Sequence, residues 1–302
     1  LMLNYGPEIC SDIANAGRRE WLTTNGLGGY AMGTVAGLLS RSYHGLLIAA
    51  ASPPDAPGLP PAARTLLLAK LDETALYDGR TYTLFSDERA DRLQANDPWI
   101  TTKGYLHLQR FHLEGTTPVW TYAVADALLE KRVWMAPGAN TTYVHYHLLR
   151  AGLPLDLHLA ALASGRDHHS NVQRRGVFAL RAEPVTHGVR ISMAESASAL
   201  WLHSREAAVT PAGCVWQLGY HLAVERARGQ LDWECYCHVA DLRVTLRAGE
   251  AATVVAGTED GADLDRARAW GVRRDYEQTL LDQAPAALTA PAEPAWAAAA
   301  AA

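Results

Sequence analysis

From about residue 64 to residue 256 the chain runs in short stretches where apolar and polar residues alternate, or where apolar residues stand together, each closed by turn residues. Such runs are the mark of half-buried or buried strands, and no βαβ pattern surrounds them. They fall at 65–71, 82–85, 105–113, 119–124, 128–135, 142–149, 155–162, 177–181, 189–193, 199–203, 215–224, 233–239, 242–246 and 252–256. Asp78-Gly79 and Pro137-Gly138 lie between runs, where hairpin or turn chemistry is needed. These candidate strands predict an all-β fold, a large two-sheet β-sandwich. Beyond Gly257 the period changes. Leu264, Ala267, Trp270, Tyr276 and Leu280 recur at helical spacing with charges between them, which predicts a helix over 263–281. Residues 51–61 are proline-rich and read as a semi-rigid surface excursion, whereas 283–295 reads as a linker before Trp296 and a closing run of alanines. The expected organisation is a β-sandwich domain at 1–262, then at 263–302 a helical linker and the beginning of a second, helical domain.

The densest cluster of unusual residues precedes all of these strands. Glu20-Trp21-Leu22-Thr23-Thr24-Asn25-Gly26-Leu27-Gly28-Gly29-Tyr30 continues through Gly33-Thr34 to Arg41-Ser42-Tyr43-His44-Gly45-Leu46-Leu47. Glycines at 26, 28, 29 and 33 allow positive φ and close backbone approach, while Trp21, Tyr30 and Tyr43 supply flat apolar faces with polar edges. That mixture suits a sugar-facing loop. Gly26-x-Gly28-x-x-Ala31 satisfies a dinucleotide fingerprint formally. The context excludes it: Glu20–Asn25 is not a buried apolar strand, and further glycines stand where a helix should start.

Composition narrows the class. With 27 Lys and Arg against 32 Asp and Glu the net charge is −5, with no long basic run, so neither nucleic acid nor an anionic membrane is an expected partner. No secretory leader or membrane-length apolar segment is apparent, so the expected setting is cytoplasmic. Cysteines at 10, 214, 235 and 237 lack zinc-site spacing and read as free thiols, Cys235 and Cys237 sharing one strand face. Among twelve histidines, His145-x-His147 and His168-His169 beside Asp167 are metal candidates, but neither supplies three convergent ligands by spacing, so no metal and no cofactor is expected. Arg166-Asp167 pairs a bidentate donor with a fixed acceptor, a combination that reads vicinal hydroxyls, and Arg41, Tyr43 and His44 offer donors to the same kind of ligand. Trp21 or Tyr30 could then stack on a pyranose face.

The run from Glu20 to Leu47 resembles the N-terminal domain of bacterial and archaeal glycogen debranching enzymes of the amylo-α-1,6-glucosidase type. Their signature reads roughly E-W-L-x-T-N-G-x-G-G-Y-A-x-G-T followed by R-x-Y-H-G-L-L. The first half matches throughout, whereas Leu39-Ser40 and Ser42 stand where the family more often has Asn-Thr and a second Arg. Arg166-Asp167-His168-His169 and Glu225-Arg226-Ala227-Arg228-Gly229 resemble two further family elements. The resemblance implies a supersandwich that is not itself catalytic and that shapes the substrate cleft. It also implies that the catalytic carboxylates sit in an (α/α)6 toroid of the full-length glycoside hydrolase, which cuts α-1,6 branch linkages in glycogen catabolism. Expected partners are glycogen or another branched α-glucan and the chain's own catalytic domain. The expected substrate-binding residues are Trp21, Asn25, Gly28, Gly29, Tyr30, Arg41, Tyr43, His44, Arg166, Asp167 and His169, with no catalytic residue in this chain. A free-standing carbohydrate-binding module is the alternative. A self-contained hydrolase using two of Glu20, Asp167, Glu225 and Glu234 is the weakest reading, because nothing in the sequence singles out an acid–base pair.

Overall fold

The computed structural model describes residues 3–51, 63–90, 98–173, 179–193 and 198–284. Two antiparallel sheets face each other. The first runs in the order β1 (Asn4–Tyr5), β9 (Leu108–Glu114), β10 (Thr117–Val124), β11 (Ala127–Met135), β12 (Thr141–Arg150), β19 (Ala251–Gly257), β16 (Leu200–His203), β15 (Gly188–Met193) and β14 (Leu180–Val185). The second runs β2 (Glu20–Thr24), β3 (Tyr30–Thr34), β4 (Gly45–Ala51), β5 (Ala63–Tyr77), β13 (Leu155–Asp167), β18 (Trp233–Leu246), β17 (Ala208–His221), β7 (Ser86–Arg89) and β8 (Trp99–Lys103), with β6 (Arg80–Thr83) paired to β5. Short helices α1 (Pro7–Cys10) and α2 (Ile13–Ala16) lie between β1 and β2, α3 (Ala223–Ala227) between β17 and β18, and α4 (Arg266–Gln283) follows β19. None of the described helices is long and apolar enough to cross a membrane.

The sandwich expected from the alternation is the one observed, and its turns follow the expected chemistry. Asp78 and Gly79 both take positive φ, as the two-residue β5–β6 hairpin demands. The main core fills the space between the sheets, where Phe111 and Trp120 meet edge to face at 5.2 Å beside Leu67, Leu129, Tyr146 and Val239. A smaller cluster of Ile48, Leu66, Leu162, Tyr220 and Tyr236 lies apart from it, with Tyr30 and Leu39 packed against it.

Three expectations need correction. The stretch Glu20–Thr24, absent from the expected strands, is β2; Glu20, Leu22 and Thr24 face outward while Trp21 and Thr23 turn inward. The runs 233–239 and 242–246 are one strand, β18, that carries a bulge opposite Ala161/Leu162. The helix expected over 263–281 runs Arg266–Gln283 as α4, where Ala269 and Arg273 bury, Trp270 packs partly covered beside Trp134, and Leu280 stays exposed. Position 177, proposed to open a strand, and most of 51–61 and 283–295 lie outside the described residues.

Candidate functional site

The glycine-rich segment forms a hairpin rather than a strand-to-helix turn, which rules out the dinucleotide fingerprint on geometry as well as context. Its register pairs Trp21 with Gly33, Leu22 with Met32, Thr23 with Ala31 and Thr24 with Tyr30. Period-two alternation then decides every side chain's fate. Trp21 goes inward, edge to face with Trp120 at 5.3 Å, its Nε1–H donating to the Thr34 carbonyl at 3.2 Å. Gly33 opposite makes room, since a Cβ there would lie 3.3 Å from the indole. Leu22, Thr24, Tyr30 and Met32 go outward and floor an open groove of about 480 Å³ whose walls are Gly28, Gly29, Arg41, Tyr43, Arg64 and His168.

The loop that closes this hairpin is held by Asn25, which is fully buried. Its Oδ1 accepts from the N–H groups of Leu27 (2.9 Å) and Gly29 (3.0 Å), and its Nδ2 donates to Ala139 O and Asn140 Oδ1, both at 3.0 Å. Asn140 in turn brackets Ala50 of β4, donating to its carbonyl at 2.8 Å and accepting from its N–H at 3.0 Å. Gly26 and Gly28 sit at positive φ, and a Cβ on Gly29 would fall 2.6 Å from both Asn side chains. The glycines are therefore requirements of the turn and of the asparagine pair.

The second half of the motif makes the opposite wall. Glu20 receives hydrogen bonds from His44 Nε2 (3.1 Å) and Arg41 Nε, and the His44 bond, aided by Arg41 against partial burial, holds its carboxyl down to about 2. His44 is buried, accepts from the Ser40 N–H through Nδ1 at 3.1 Å, and is pushed below its ordinary value by that burial. Ser42 joins all three motifs. Its N–H and Oγ–H both donate to Glu225 Oε1 (3.2 and 3.3 Å), while its carbonyl accepts from Arg166 Nη2 at 2.7 Å. Glu225 also takes Arg228 Nη1 at 3.1 Å, and Gly229 follows at positive φ. Arg166 forks onto Glu234, with both side chains wholly buried.

The expected site residues thus divide. Tyr30, Arg41 and Tyr43 line the groove together with the backbone of Gly28 and Gly29. Asp167 and His169 stand exposed beside it, with the Tyr43 ring 5.7 Å from His169 and 5.6 Å from His168. Trp21, Asn25, His44 and Arg166 are buried, so they support the groove and offer no face to a ligand; the stacking role expected of Trp21 is corrected by its inward register. Sequence reasoning missed Leu22, Thr24, Met32 and Arg64, and named His168 as a metal candidate but not as a groove residue. The first three were legible as the outward partners of Trp21 and Thr23 once the run is read as a hairpin. Arg64 carries no local signal: it reaches from β5 across to the Gly28 carbonyl at 2.6 Å. Burial raises the Tyr30 hydroxyl to about 12 and lowers His168, so both rings are neutral near pH 7. None of the residues lining this groove is a carboxylate. The arrangement offers guanidinium and phenol donors over an apolar floor, and no acid–base pair.

Fold and groove together define a β-sandwich domain with an open, donor-lined surface site. The chain belongs to the glycogen debranching enzyme N-terminal family, whose model matches residues 19–253. No curated protein sequence matches it. Among solved structures, a bacterial glucoamylase complexed with acarbose is similar over 87% of this chain and 34% of its own, at 8% identity and a TM-score of 0.36. A protein described as a kojibiose phosphorylase from the human microbiome is similar over 95% of this chain and 36% of its own, at 10% identity and a TM-score of 0.33. The chain spans about a third of the length of each.

Proposed function

We propose that this chain is the non-catalytic, substrate-shaping domain of a glycogen debranching enzyme, and that its groove forms one wall of the cleft in which a branched α-glucan meets a helical catalytic domain. The observation that carries this reading is the groove itself, which is built by the family motif, open to solvent, and lined by Tyr30, Tyr43, Arg41 and Arg64 without a carboxylate. Aromatic faces beside fixed donors suit the alternating apolar and hydroxyl-bearing surfaces of pyranoses. The four carboxylates that might have formed an acid–base pair have other work. Glu20 is tied to His44 and Arg41, Glu225 to Ser42 and Arg228, Glu234 to Arg166, and Asp167 accepts from the His169 N–H at 2.8 Å.

In this reading Ser42, Arg166, Glu225 and Glu234 have a positioning role. They fix the 41–44 segment so that Tyr43 and Arg41 stand at a set distance from the hairpin floor. Helix α4 ties the same hairpin from the other side, Arg273 Nη1 donating to the Thr24 carbonyl at 2.7 Å. The catalytic partner and the branched substrate, carried over from the family, and the cytoplasmic setting, read from the sequence, are part of the proposal. Incubating this folded chain alone with a phosphorylase limit dextrin tests it: no glucose release is expected. Sustained release at an enzymatic rate would mean that the carboxylates needed for hydrolysis lie within these residues and that the accessory reading is wrong.

A further inference from the structure

We propose that Asp167, His168 and His169 form a binding site for one divalent transition-metal ion of the zinc type at the rim of the groove. Strand β13 ends at Asp167, and the turn that follows brings one donor atom from each of the three side chains within 4.8 Å of the others. Asp167 Oδ1 lies 3.3 Å from His169 Nδ1 and 3.9 Å from His168 Nδ1. Ligand atoms on a tetrahedral ion with bonds of about 2.0–2.1 Å stand about 3.3–3.4 Å apart. Of the three pairs, Asp167–His169 is already at that spacing, Asp167–His168 needs a closure of roughly half an ångström, and the two histidines, whose donor atoms lie within 4.8 Å, close by side-chain rotation.

An independent observation points the same way. The His168 side chain is only 8% exposed, yet its Nδ1 has no hydrogen-bond partner. A buried polar nitrogen left unpaired is costly, and this one lies 3.9 Å from the Asp167 carboxylate, on a ring whose centre is 3.8 Å from that of the His169 imidazole. The His168 main-chain N–H donates to the Arg64 carbonyl at 3.0 Å, which holds this residue against the groove wall. A donor set of two imidazoles and one carboxylate favours zinc, cobalt or nickel over calcium or magnesium. Because Asp167 and His169 are exposed, water can complete the coordination. The sequence named these three residues as a metal candidate but not as a complete site, because contiguous ligands converge only through the turn. The proposal does not depend on whether the groove binds glucan.

Calorimetric titration of the chelator-treated chain with Zn²⁺ alone tests it, with Co²⁺ absorption as a second probe of coordination. One equivalent is expected to bind, and His169→Ala and Asp167→Asn, both at exposed positions, should each weaken binding about tenfold or more. Cys214→Ser, a control for thiol capture, should leave it unchanged. Absence of binding, or affinity that is the same in wild type, His169→Ala and Asp167→Asn, would overturn the proposal.

Discussion

Asn25 shows how much one buried side chain can hold. Its amide satisfies two backbone N–H groups of its own loop and reaches two acceptors on the turn between β11 and β12, so a single residue ties the glycine hairpin to the opposing sheet. Asn25→Ala leaves those groups unpaired in a buried place, and a loss of about 2–4 kcal/mol is expected. Urea unfolding should show the midpoint falling with little change in slope. Glu20 gives a pH signature. Its folded carboxyl is held at about 2, below its ordinary 4.5, chiefly by the His44 hydrogen bond. A depressed carboxylate contributes stability that is present above the unfolded value and lost as pH falls, so this contribution fades between 4.5 and about 2. His44, lowered by burial, is neutral in the fold, and its share of the loss begins below 6.5 as the unfolded chain takes up the proton. Glu20→Gln should therefore flatten the stability curve below pH 4.5 and leave the decline that starts near 6.5 in place, as read by chemical unfolding across that range.

At the scale of elements, the strands were legible because alternation and turn residues coincide, as at Asp78-Gly79, where both residues take positive φ. The motif hairpin was not, because its glycines and its apolar outward residues Leu22, Tyr30 and Met32 mask the period-two pattern that Trp21, Thr23, Ala31 and Gly33 carry on the inner face. The site was legible in part for the same reason: Tyr30, Arg41 and Tyr43 belong to the motif, whereas Arg64 and the bracket of Asn140 arrive from distant positions. Helix α4 was visible, but not its docking. Trp270 meets Trp134 edge to face at 5.2 Å, and Arg273 is buried with Nη1 on the Thr24 and Met135 carbonyls and Nη2 on Thr116. A charged residue as the anchor of a docking face runs against the usual apolar stripe. Arg273→Ala removes these charge-assisted bonds, which are typically about 1.5–3 kcal/mol each. Amide exchange in 266–283 should accelerate at least tenfold while β5 and β13 keep their protection.

For the whole molecule, three sequence motifs, around Ser42, Arg166 and Glu225, meet at Ser42. Glu225 holds its N–H and hydroxyl, Arg166 holds its carbonyl, and the Arg166–Glu234 pair is sealed from water. Buried ion pairs of this kind add little net stability compared with apolar packing, so their value lies in fixing the geometry of the groove wall. That geometry is the central claim, and kinetics on a branched substrate test it most directly. A protein that joins this chain to the proposed catalytic domain, bearing Tyr43→Ala and Arg64→Ala, should show kcat/KM on phosphorylase limit dextrin reduced about tenfold to a hundredfold, with a thermal midpoint close to wild type. An unchanged kcat/KM in a folded double variant would contradict the claim that this groove lines the substrate cleft.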